Sequence, residues 1–225
     1  MTGDEQPISP APLAARDLCN PRHGEHAFQG YVTEAHEALA GLWTCPRLIV
    51  RPAPFTVAAD DRGRHRVSRH ATLLETVPAL LADLAIDPPD DLLLVCPGPV
   101  AAAGFPDPRH ELLLMRLTAA PLGTPDLGRM VQHLARYLLP GVRYRLLPEA
   151  APFTRESMAV ECRRDDRWRR LGLCGRLSTE SLAAAGLTPG RHAALLANVT
   201  LEHLHELRSG SEVLAEEDVK AAVHG

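Results

Sequence analysis

Two short runs near the middle of the chain, residues 92–96 (LLLVC) and 111–118 (ELLLMRLT), are apolar almost without interruption. A strand with one face in water alternates apolar and polar residues. A strand that is apolar throughout is covered on both faces. Two such strands require a sheet sandwiched between other elements, and the rest of the sequence supplies the covers. Residues 25–43 carry Phe28, Val32, Ala35, Leu39 and Leu42 at helical spacing, with Glu34 and Glu37 on the opposite side. Residues 71–85 are a leucine-rich helix that Pro78 threatens to split. Thr124, Pro125 and Asp126 read as an N-cap, a first-turn proline and a first-turn acid, and Leu127, Met130, Val131, Leu134 and Leu138 give the helix they open its buried stripe.

Further strands are expected at 47–51 and 64–69, with a meander over 142–147, 158–163 and 168–174 that turns at Asp165-Asp166. Ser178 caps a short helix that Gly186 ends; a strand over 192–199 and a helix over 201–208 follow. The Pro- and Gly-rich stretch 97–109 is read as an irregular loop framing a site. The expected fold is α+β: an antiparallel sheet flanked by helices. Residues 1–15 are expected to be a disordered lead, 16–208 one core, and 209–225 a tail.

Composition narrows the function classes. The chain has 225 residues and a formal net charge of −4, so no global basic surface for nucleic acid is evident. Lys220 is the only lysine among 24 basic residues. Arginine enrichment fits bidentate anion recognition, but it also fits a GC-rich codon bias, given the abundance of Ala, Pro and Gly. No apolar run approaches the roughly 18 residues of a membrane span. The opening MTGDEQPISPAPLAAR lacks a basic-then-apolar leader pattern, so a cytoplasmic location is expected. Cys19, Cys45, Cys96, Cys162 and Cys174 form no C-x-x-C pair and read as reduced, mostly buried residues. Glu202, His203, His205 and Glu206 read as a solvated helix face rather than a metal site, and Cys19, His23 and His26 lack a fourth ligand, so no metal is expected. Arg163, Arg164, Arg167, Arg169 and Arg170 around Asp165-Asp166 are read as an exposed turn with partly paired charges, the alternative being phosphate contact.

The order of elements resembles a class II aminoacyl-tRNA synthetase core. The stretch PDLGRMVQHLARYLLPGVRYRLLPEAAPFTRESMAVEC resembles the phenylalanyl-tRNA synthetase catalytic subunit, in which a helix, a strand, a Phe-Pro-Phe-Thr segment and an acid-bearing strand follow one another. Here the segment is Ala151-Pro152-Phe153-Thr154, with Glu161 beyond it. Residues 168–175 (WRRLGLCG) are similar to the family's next strand and its Cys-Gly turn, here Cys174-Gly175, and His110-Glu111 stands where the family has His-Gln. The opening DLCNPRHGEHAFQ resembles compact relatives of the same enzyme.

The resemblance implies a ligase-type core that activates or transfers an amino acid or related carboxylate with ATP and magnesium. It implies that Phe153 and Thr154 shape an acyl pocket, that Glu111 and Glu161 hold an amino group, and that His110, Glu202 and His203 lie on the nucleotide side. It also implies pairing through the first helix, as a homodimer or with a paralogue. The departures are specific. Ala101, Ala102 and Ala103 cover the place of the motif 2 arginine. His203 replaces the motif 3 arginine, while Asn198 and Thr200 replace motif 3 glycines. Leu113 stands where an acid is expected, and Leu74-Glu75-Thr76-Val77 replaces an Arg-Thr-His-Thr-Ser run. Each missing phosphate arginine removes on the order of 3 kcal/mol of transition-state stabilisation. With no anticodon-binding domain and no basic tract, tRNA is not an expected partner. The alternative is a catalytically inactive pseudo-synthetase that binds a ligand or an active paralogue.

Overall fold

The computed structural model describes residues 18–19, 27–44, 47–52, 56–59, 65–68, 71–100, 109–188 and 190–209. The expected lead, the tail beyond 209, Cys45, His23, His26 and Ala101 to Ala103 lie outside the described residues. The elements are α1 (Ala27–Leu42), β1 (Arg47–Val50), β2 (Thr56–Ala59), β3 (His65–Ser68), a 3-10 turn (Leu73–Thr76), α2 (Val77–Ala85), β4 (Asp91–Val100), β5 (Arg109–Thr118), α3 (Thr124–Leu138), β6 (Tyr144–Pro148), β7 (Thr154–Arg164), β8 (Arg167–Leu177), α4 (Thr179–Ala184) and β9 (Ala193–Thr200). A further helix, α5, covers 201–209.

Seven strands form one sheet in the order β1-β4-β5-β9-β8-β7-β6; β2 and β3 pair separately. The architecture is α+β, as expected. The sheet is mixed rather than wholly antiparallel, because β1 runs parallel to β4. Strand β9, the last among the described residues, is inserted between β5 and the meander.

The central strands are covered on both faces. Leu93, Val95, Leu112 and Leu114 pack with α1, α3 and α5 in one core; Leu92, Leu94, Leu113 and Met115 pack with α2 and α4 in the other. Leu112, Leu113, Leu114 and Leu117 are fully buried. Each such side chain contributes about 1.5–3 kcal/mol by leaving water.

Several boundaries differ from the sequence expectation. Residues 97–100 belong to β4, although Pro97 and Pro99 suggest a loop. The parallel partner β1 stops where Val50 meets Val95, while β5 pairs on to Val100. Beyond Val95 the outer edge of β4 therefore has no strand partner among the described residues, and prolines two apart, both lacking an N–H, fit on that edge. The strand β2 falls in a stretch that the sequence expectation left without an element. Pro78 does not split its helix but lies in the first turn of α2, with a 3-10 turn before it. The cap of α3 is Gly123, one residue before the expected Thr124. Asp126 accepts the Gly123 amide at 2.7 Å, and the Thr124 hydroxyl instead donates to Glu156 at 2.8 Å. Asp165 and Asp166 both have positive φ, 48° and 58°, the conformation a two-residue hairpin requires.

Candidate functional site

Strand β5 begins beside the first turn of α5 and alternates its side chains between the two cores. His110 and Glu111 are adjacent in sequence, so they cannot share a pocket. His110 faces the α1/α5 side, edge-on to Phe28 with ring centroids 5.5 Å apart. Its backbone amide donates to both oxygens of Glu202, at 2.8 and 3.0 Å, and its Nδ1 lies 3.0 Å from Glu202 Oε1. Both carboxylate oxygens of Glu202 are thereby committed to the start of β5.

Glu111 faces the α2 side and is buried. Its Oε2 accepts the Leu73 amide at 2.7 Å, the Thr72 hydroxyl at 2.8 Å and the Asn198 amide nitrogen at 2.7 Å. A buried carboxylate needs such donors. These donors fasten the 3-10 turn and β9 to β5. The sequence singled out Asn198 only as a departure; its partner lies 87 positions away.

His203 makes two contacts of opposite demand. Its Nε2 lies 3.2 Å from Arg109 NH1, and its Nδ1 lies 2.9 Å from the Arg170 carbonyl oxygen. A guanidinium only donates and a carbonyl only accepts. The ring therefore carries its proton on Nδ1 and offers the Nε2 lone pair to Arg109. Arg109 is a functional candidate that sequence reasoning missed: it directly precedes the singled-out His110, and only the fold brings it to His203.

The expected acyl-side residues are dispersed. Phe153 has φ +66°, unusual for a bulky residue, and its carbonyl is held by the Ser178 amide at 3.0 Å and the Ser181 hydroxyl at 3.1 Å. Its ring lines a groove of about 350 Å³ between α2 and α4, with Val77, Pro78, Leu81, Ala184 and Glu180. The volume is at the lower end of small-ligand sites. Glu180 is held below the usual carboxylate range by hydrogen bonds from its own backbone amide and from Ser178 and Thr179. The Thr154 hydroxyl donates to the Ala151 carbonyl at 2.9 Å. Glu161 is not in this groove. It pairs with Arg145 at 2.6 Å, and that guanidinium lies over the Trp168 ring at 4.4 Å.

Cys174 is fully buried, and burial pushes its thiol up to about 12; Cys96, partly offset by Arg51, rises to about 11. Neither thiol supplies a thiolate nucleophile at neutral pH. Gly175 packs against β7, where an added Cβ would lie 3.0 Å from Ser157 Cβ. Four of the five arginines singled out around the β7–β8 turn are paired: Arg163 with Asp166 at 2.7 Å, Arg164 with Asp165 at 3.5 Å, Arg169 with Glu206 at 3.6 Å, and Arg170 with Glu149. Among the described residues no three His, Cys, Asp or Glu side chains gather as a metal site. No helix among the described residues is long and apolar enough to cross a membrane.

No protein-family model and no curated protein matches this chain.

Proposed function

We propose that this chain is a phenylalanyl-tRNA synthetase-like core that binds a small amino acid or related carboxylate without activating it. The observation that carries the reading is the commitment of the acids. Glu111, assigned by resemblance to the substrate ammonium, has its Oε2 engaged by Thr72, Leu73 and Asn198. Glu202, assigned to the nucleotide side, is turned onto His110. Glu161 neutralises Arg145. Freeing Glu111 for a ligand would leave buried donors without a partner, at about 1–3 kcal/mol per buried group, whereas the exposed Glu161–Arg145 pair is opened at little cost. His203, at the place of a phosphate-binding arginine, has both ring nitrogens engaged within the fold, by Arg109 and by the Arg170 carbonyl. These positions do not fit a magnesium-bound triphosphate.

Part of the expected element order supports the resemblance: a first helix, buried strands, a long helix, a three-strand meander, a short helix, and a strand that runs directly into a helix, although β4 takes up the first residues of the expected long loop. The groove at Phe153 is the place for an apolar side chain. The same reading admits a partner role, in which the core pairs with an active paralogue.

The test is exchange of pyrophosphate into ATP with a panel of amino acids, together with thermal melting. The expected outcome is no exchange, with a melting temperature that rises in an aromatic amino acid and loses that rise in Phe153→Ala; a ligand at 100 times its Kd adds about 2.7 kcal/mol of stability. Robust exchange overturns the reading. A rise that survives in Phe153→Ala removes Phe153 from the site.

A further inference from the structure

The groove between α2 and α4 combines apolar walls with a single charged side chain. Val77, Leu81 and Phe153 form the walls, and the polar lining residues are Glu180 and Ser181. Ser181 commits its hydroxyl to the Phe153 carbonyl, which the Ser178 amide also holds. Those two bonds fix the Phe153 backbone at its positive φ. A bulky residue keeps such a conformation only where its surroundings over-determine it, so the ring stands at a set place in the wall.

Glu180 is the polar group that remains. Its carboxylate receives hydrogen bonds from its own amide and from Ser178 and Thr179, all neutral donors. They favour the ionised form and leave its charge uncancelled. A carboxylate has about four acceptor sites, so it can take a further donor. Arg155 acts on it as a more distant charge, not as a hydrogen-bonded partner. The groove therefore offers about 350 Å³ of largely apolar space beside an exposed, ionised acid.

We infer that Glu180 selects a ligand bearing an ammonium group, whose apolar body lies against Phe153. The ligand class is a primary amine on an aryl or branched alkyl body, either a plain amine or an amino acid. This inference deepens the binding reading above and rests on it for the groove being a site. It moves the ammonium partner from Glu111 and Glu161, which resemblance named, to a residue that sequence reasoning did not single out. The same charge disfavours an apolar carboxylate that lacks an amine.

The experiment titrates the isotope-labelled full chain separately with phenethylamine, phenylalanine and 3-phenylpropionate, with affinities read from NMR shifts. Phenethylamine and 3-phenylpropionate share an aryl body and differ in the charge of the head group. Phenylalanine separates an amino-acid source from a plain amine: the tighter of the two ammonium probes names the source. Phenethylamine is expected to bind about fivefold more tightly than 3-phenylpropionate or better, the size of one exposed ion pair. Glu180→Gln is expected to weaken phenethylamine about fivefold while leaving 3-phenylpropionate no weaker. A merely structural role for Glu180 would move all three probes together. Ala184→Leu, at an exposed position lining the groove, is expected to weaken every probe by filling the space.

Should Glu180→Gln fold poorly, nuclear Overhauser contacts in the wild-type complex decide the matter: the phenethylamine ring is expected to show them to Phe153, and its aminomethylene group to Glu180. Equal affinity for phenethylamine and 3-phenylpropionate, an amine preference unchanged in Glu180→Gln, or a complex without contacts to Glu180 overturns the inference. In those cases the groove still stands as an apolar site if Ala184→Leu weakens binding. Binding of no probe at millimolar concentration overturns both readings, so the two fail separately.

Discussion

Asp126 shows how one residue decides where a helix begins. Its carboxylate accepts the Gly123 amide, and that hydrogen bond, together with Arg129, holds its pKa below the ordinary range. A lowered folded-state pKa contributes stability above the unfolded value near about 3.9 and loses it as pH falls through the folded value. Asp126→Ala is expected to cost about 1 kcal/mol at pH 7, with the difference from wild type shrinking as the pH is lowered below about 4; urea melts across that range measure it. Gly172 carries a second residue-scale expectation. A Cβ there would lie 1.9 Å from the Asn198 carbonyl oxygen, which is backbone and cannot rotate away. Gly172→Ala is expected to force β8 from β9 and cost about 3 kcal/mol or more; an unchanged melting temperature would disprove the close approach. Neither effect was legible in the sequence, where Asp126 reads as a first-turn acid behind the wrong cap and Gly172 as one glycine among 16. Local spacing places the start of α3 to within a residue and that of α1 to within two, but a backbone contact between strands 26 positions apart leaves no local trace.

The elements themselves were largely legible, because burial imposes periods. The stripe Leu127, Met130, Val131, Leu134 and Leu138 is buried as expected, and β5 is covered on both faces, as its unbroken leucines require. Prolines misled the reading at β4, since a proline signals a missing hydrogen bond without saying whether that bond was needed. The candidate site was less legible for a physical reason: its residues were identified one by one, whereas their availability depends on distant partners. Glu111 belongs to an element-scale clamp joining β5, β9 and the 3-10 turn before α2. Glu111→Ala is expected to destabilise the protein by about 3 kcal/mol or more, by stranding buried donors. Glu111→Gln keeps an acceptor and is expected to cost less. Hydrogen exchange at the Leu73 amide is expected to accelerate in Glu111→Ala more than exchange in α3, because the 3-10 turn and α2 lose their tether while α3 belongs to the other core. Equal acceleration in both would make Glu111 a general stability residue rather than a clamp.

At the scale of the molecule, the apolar stripe of α1 bears on assembly. Phe28, Tyr31, Val32, Ala35, Ala38 and Leu39 are all buried within the chain itself, against α3 and the sheet. The helix that resemblance assigns to dimerisation has therefore spent that face on its own core, leaving Thr33, Glu37, Ala40 and Gly41 outward. Among the described residues the sheet edges are further candidates. Strand β6 exposes Leu147 but ends in Pro148, which cannot donate to a new neighbour. Strand β1 has no partner on its outer edge among the described residues, and it leaves Leu48 and Val50 37% and 44% exposed on one face. A homodimer, if this chain forms one, then has the β1 edge rather than the α1 stripe to work with. Sedimentation of wild type and of Leu48→Lys/Val50→Lys across micromolar concentrations separates the alternatives. The expected outcome is a concentration-dependent dimer in wild type and a monomer in the double variant, at a melting temperature unchanged apart from the concentration-dependent part that a dimer adds. A dimer that survives both lysines would place the interface elsewhere. A wild-type monomer throughout would leave the two exposed side chains as ordinary surface, since scattered apolar residues need no partner.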